Sequence, residues 1–168
     1  LCLGGCLDSG AEDGAPAGEG EGEGERGDGG ATAIRTPGWA ALTYDGLQAL
    51  SDTTRGVLNA AGIGRNDRIA IVLPNGPEMA TAFVALATCA TAAPLNPAYK
   101  ADEFEFYLSD LGAKAVIVLD GGESPVVEAA ARLNVPLIPL IADSDGPAGS
   151  FTLARGGAVP ASSGGPAG

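Results

Sequence analysis

The chain has no histidine, so the side chain most often used as a general base near neutral pH, and as a zinc ligand, is absent. Its three cysteines, Cys2, Cys6 and Cys89, are odd in number, and Cys2 and Cys6 have no partner pair at zinc-ligand spacing. Cys89 falls in an apolar helical pattern, where a small buried thiol is the ordinary occupant. No metal site is expected. Two glycine-rich stretches invite a phosphate-binding reading. Gly62-x-Gly64 lacks the third glycine of a dinucleotide loop, since Asp67 stands there, and it precedes a strand where such a loop should follow one. Ser162-Ser163-Gly164-Gly165-Pro166 has no buried strand leading into it and no lysine, and it reads as linker. What remains are polar residues just beyond apolar strands, where open α/β sheets collect ligands: Asn75, Asn96 and Asp120-Gly121-Gly122. Each has a structural role to fill first. Asn75 can cap a helix, Asn96 can form a turn, and Asp-Gly-Gly makes a pliant loop. The expectation is therefore no catalytic and no metal-binding residue, with Asn75 and Asn96 as the strand-end candidates for cofactor contact.

The elements that would position them follow from periodicity. Leu47, Leu50, Thr54, Val57, Leu58 and Ala61 recur at helical spacing, with Thr43 as N-cap, Asp45 in the first turn and Gly62 as a left-handed stop. Residues 69–73 (IAIVL) and 115–119 (AVIVL) are apolar without alternation, as in strands covered on both faces. Between them, Pro77 and Glu78 open a helix to about Ala90, with Asn75 or Gly76 as cap, burying Met79, Phe83, Leu86 and Ala90. Residues 92–95 form a short strand, and Asn96-Pro97 turns the chain. Asp102 and Glu103 begin a helix with Phe104, Tyr107, Leu108 and Leu111 inward and Glu105 and Asp110 outward, stopped by Gly112. Tyr99 reads as packing. In the GIGRND turn, Asn66 suits a left-handed position. Ser124 and Pro125 start a helix to Leu133, and residues 137–141 form a last strand whose prolines, Pro136 and Pro139, suit an edge. Strands alternating with helices across short connections predict an α/β layered, parallel sheet.

Composition limits where this fold can lie. Asp8, Glu12, Asp13, Glu19, Glu21, Glu23, Glu25 and Asp28 against Arg26 place −7 of the net charge of −12 in the first 30 residues. The run GEGEGEGERGDGG has nothing to bury and like charges that repel, so residues 1–31 read as a disordered acidic leader. Residues 32–141 hold the foldable sequence. Residues 142–168 read as a Pro/Gly/Ser-rich linker, with Phe151 and Leu153 its only anchors. Net negative charge without basic clusters argues against nucleic acid. The opening LCLGGC lacks the basic start and the apolar stretch of about 7–15 residues that a secretory signal needs. No apolar run reaches transmembrane length.

Three blocks in order, LTYDGL, GIGRNDRIAIVLPNGPEM and AAPLNPAYKADEFEFYLSDLGAKAVIV, resemble the N-terminal part of the adenylate-forming acyl-CoA synthetases, the AMP-dependent synthetase/ligase family. EFEFYLSD points within it toward the oxalate–CoA ligase group. The resemblance covers roughly residues 33–140. It implies a partial layered parallel sheet from the N-terminal domain of that fold. It also implies an enzyme family that joins a small-molecule carboxylic acid to CoA through an acyl-adenylate, using ATP, Mg²⁺ and CoA. In complete relatives a loop resembling TSGTTGxPK holds the phosphates, and metal, adenine and ribose contacts and a catalytic lysine follow later. None of these positions occurs here, and the Ser162–Pro166 stretch resembles the linker that precedes that loop. Some relatives place arginines after the strand ending at Leu119 to meet CoA phosphates; here Asp120 and Glu123 stand there. The chain is thus expected to be an inactive piece of an acid–CoA ligase, intracellular and soluble, cytoplasmic or peroxisomal. The competing expectation is a non-catalytic α/β interaction module with an acidic disordered tail.

Overall fold

The computed structural model describes residues 28–154. The acidic run before residue 28 and the Ser162–Pro166 stretch lie outside the described residues. A hairpin of β1 (Thr32–Ile34) and β2 (Leu42–Thr43) leads directly into α1 (Tyr44–Ala60). Thr43 is the N-cap, its hydroxyl accepting from the Gly46 amide at 3.1 Å. The helix ends through Ala61 and Gly62, the latter at φ 78°. The turn that follows needs a left-handed residue at Asn66, which has φ 73°.

From there the chain winds through β3 (Arg68–Val72), α2 (Pro77–Ala87), β4 (Thr91–Pro94), α3 (Ala101–Leu111), β5 (Ala115–Leu119), α4 (Val126–Leu133), β6 (Leu137–Ala142) and β7 (Phe151–Leu153). The five strands from β3 onward form one sheet in the order β4-β3-β5-β6-β7, parallel except for antiparallel β7. The two central strands are buried on both faces because neither carries a polar residue in its interior. One face, with Ile69, Ile71, Ile117, Ile138 and Leu140, packs on Leu58 of α1 and Ala82, Ala85 and Leu86 of α2. The other, with Ala70, Val72, Val116 and Val118, packs on Phe104 and Leu108 of α3 and Val126, Ala129 and Ala130 of α4. Among the described residues no helix is long and apolar enough to cross a membrane.

Three sequence expectations need correction. First, α2 does not bury Phe83, which is 42% exposed; it turns Thr81, Ala82, Ala85 and Leu86 inward and ends at Ala87. The inward face carries Leu86 and Met79 beside the small residues, and Phe83 falls outside that face. Second, the linker assigned to residues 142–168 contains a strand. Phe151 and Leu153 are buried and β7 pairs with β6, Thr152 opposite Ile141. Third, β6 is consequently not an edge, although Pro139 lies within it. Its carbonyl accepts from Ala154 at 2.8 Å. A strand residue's N and C=O point the same way, so the missing N–H falls where the β7 pairing ends.

The segment joining β6 to β7 is held at three points. Asp143 accepts from the amides of Asp145 and Gly146, both at 3.1 Å, and Ala148 donates to Ala40 near the hairpin at 2.8 Å. The buried Thr81 hydroxyl donates to the Gly149 carbonyl at 2.6 Å.

Candidate functional site

Strand β3 connects through α2 to β4 on one side, and β5 connects through α4 to β6 on the other. With α2 and α4 on opposite faces of the sheet, the strand order reverses between β3 and β5. Open α/β sheets bind ligands at such a reversal, beyond the carboxyl ends of the strands. A cleft of about 100 Å³ lies there, walled by Val72, Pro74, Pro97, Val118 and Leu119 and closed by Gly122, Glu123 and Ser124. Apolar strand ends and two prolines make its walls, while the short β5–α4 loop supplies a carboxylate and a hydroxyl. The Ser124 hydroxyl also accepts from the Val126 amide at 3.4 Å, opening α4.

The two sequence candidates lie beside this cleft without lining it. Asn75 is exposed at the end of β3, and the α2 cap position is taken by Gly76. Asn96 is exposed, and its Oδ1 accepts from the Ala98 amide at 3.0 Å, so its side chain serves the turn. The structure instead brings together their neighbours, Pro74 and Pro97, with Glu123, Ser124 and Gly122, the last from the third strand-end loop singled out in the sequence. The signal for these was the position of each loop at a strand end rather than any residue type. Tyr99 stacks on Tyr107 at 5.1 Å and meets Phe104 edge-on at 5.7 Å, a packing role outside the cleft. Hydrogen bonding to Tyr107 raises the Tyr99 phenol above its ordinary pKa, and the charge of Tyr107, some desolvation and Glu103 act the same way.

The opposite, amino ends of the strands carry contacts that hold the fold. Asp67, 6% exposed, accepts from the Gly64 amide at 2.8 Å and pairs with Lys114 at 3.3 Å. The Gly64 amide that a phosphate loop would offer is therefore already bonded. Arg68 donates to the Leu111 carbonyl at 2.8 Å, closing the end of α3. On the outer surface, Arg132 joins α4 to α3 through Glu105 at 3.0 Å and Asp102 at 3.4 Å, and bonds Glu128 at 2.7 Å. Glu105 first, then Glu128, hold this guanidinium above its usual pKa. Burial raises the Cys89 thiol, opposed in part by Arg55 and by a hydrogen bond with Thr88. Among the described residues no group of three or more His, Cys, Asp or Glu could hold a metal ion.

ATP and CoA do not fit this cleft as it stands. Pockets for ligands of drug size run to about 300–1,000 Å³, several times the volume of the cleft. No cationic side chain lines it, and its one charged wall residue, Glu123, would repel phosphate.

The architecture defines the class first: an open α/β sheet with helices on both faces and a reversal of strand order at its centre. The chain belongs to the AMP-binding enzyme family, whose profile matches residues 23–160. It is 42% identical over 104 residues to "Probable CoA ligase CCL9" of Humulus lupulus, covering 61% of this chain and 20% of that protein. It is 36% identical over 134 residues to "Oxalate--CoA ligase" of Arabidopsis thaliana, covering 71% of this chain and 26% of the other. The solved structure of apo MatB from Rhodopseudomonas palustris shares the fold at a TM-score of 0.61 and 23% identity, over 76% of this chain and 27% of that one. The chain thus spans about a fifth to a quarter of the length of the curated relatives it matches.

Proposed function

We propose that this chain is the N-terminal portion of an acid–CoA ligase that converts a carboxylic acid, ATP and CoA to acyl-CoA, AMP and pyrophosphate, and that it does not adenylate by itself. The observation that carries this reading is the family match set against the strand-end cleft: the scaffold is that of the enzymes, but the cleft has no cation to meet a triphosphate. The role of the described residues is to supply one layered sheet, its switch-point loops held by Asn96 and Ser124, against which later segments build the nucleotide and acyl pockets. An oxalate-type acid is the substrate class we favour, on the strength of EFEFYLSD and the 134-residue match to the Arabidopsis oxalate–CoA ligase. We place the complete enzyme in the cytoplasm or peroxisome by the same resemblance.

The test is pyrophosphate release by the purified chain with ATP, Mg²⁺ and oxalate or a fatty acid. The expected rate equals the buffer blank; turnover that co-purifies with the chain overturns the proposal. Reading the nucleotides beyond the Gly168 codon supplies a second arm, in which a TSGTTGxPK-like segment supports the ligase reading. One observation favours the alternative of a non-catalytic α/β module: β7 covers β6, so the parallel core does not end on an open apolar strand. A stop codon followed by unrelated sequence, with well-folded expression of this chain, would favour that module.

A further inference from the structure

We draw no further inference here: the strongest candidate, the uncharged outer face of α2 that leaves Phe83 42% and Val84 41% exposed, is an unpartnered apolar face, and nothing in the structure shows what covers it.

Discussion

Thr81 and Gly149 show how one bond can decide the course of a segment. The Thr81 hydroxyl is buried and gives its proton to a carbonyl 68 residues away. Thr81→Val keeps the shape and removes the donor, leaving the Gly149 carbonyl unsatisfied at a cost of about 1–3 kcal/mol. The expected outcome is faster amide hydrogen exchange across residues 148–153 than in β3; equal acceleration everywhere would show that the bond does not anchor this segment. Gly149 has φ 78°, and a Cβ there would come within 2.7 Å of the Pro77 carbonyl oxygen. Gly149→Ala should therefore lower the melting temperature further than Thr81→Val does. Cys89 makes a pH-dependent prediction. Its folded pKa is raised from the ordinary 9.0 by burial, so its contribution to stability is full below that value and lost as pH rises through the folded one. Urea unfolding from pH 7 to 10 should show the native chain losing stability relative to Cys89→Ala. Peptide-resolved alkylation should find Cys89 slow to react until the chain unfolds. A pH-independent difference between the two chains would contradict this account.

At the scale of elements, β7 is three residues long, yet it changes the status of its neighbour. Phe151, 4% exposed, packs in the core beside Leu140 and Leu153, and its strand keeps β6 from presenting an open edge. Truncating a buried phenylalanine typically costs about 3–5 kcal/mol. Phe151→Ala should fall toward the lower figure, because β7 lies at the sheet's margin, and it should increase thioflavin-positive aggregation through the uncovered β6. Unchanged aggregation would mean that β6 is protected by something other than β7. The Asp67–Lys114 pair works at the other end of the sheet, joining the turn before β3 to the start of β5. Replacing Asp67 with Ala strands a largely buried ammonium and should destabilise by about 3–5 kcal/mol, whereas replacing both partners with apolar residues should cost much less. Denaturant titration of the two variants distinguishes these outcomes.

For the whole molecule, the apolar surface is redistributed relative to expectation. Residues 137–141 read as an edge strand from the sequence, and with β7 paired to them only Ile141, 44% exposed, remains open there. The larger apolar face is on α2, where Phe83 and Val84 face outward on a helix with no charge beyond Glu78. The isolated chain is expected to bind a hydrophobic dye, and Phe83→Ser together with Val84→Ser should reduce that binding without lowering the melting temperature. If the double variant binds as much dye as the parent, the sticky surface lies elsewhere. The Arg132 cluster lies on the exposed surface, so its removal should change stability little at physiological salt.

The amino-acid sequence by itself determined what depends on local pattern. Unbroken apolar runs in β3 and β5 required burial on both faces, since neither offered a polar side to water. Positive φ at Gly62, Asn66 and Gly112 followed from the residue types that tolerate it. The alternation of these elements gave the parallel sheet, and the ordered motif blocks gave the family. Tertiary structure alone decided the rest. Three residues of β7 have too little periodicity to declare a strand, and they become one only by pairing with β6 and through the Thr81 bond. The buried side of α2 was legible only to within a rotation, because apolar residues surround that helix. Packing against the sheet and α1 turned Thr81, Ala82, Ala85 and Leu86 inward and left Phe83 outside. Asn75 and Asn96 follow the ends of β3 and β4, but the cleft formed from the residues beside them. Their amides were left to solvent and to a turn, because loop geometry, not residue chemistry, sets which atoms converge.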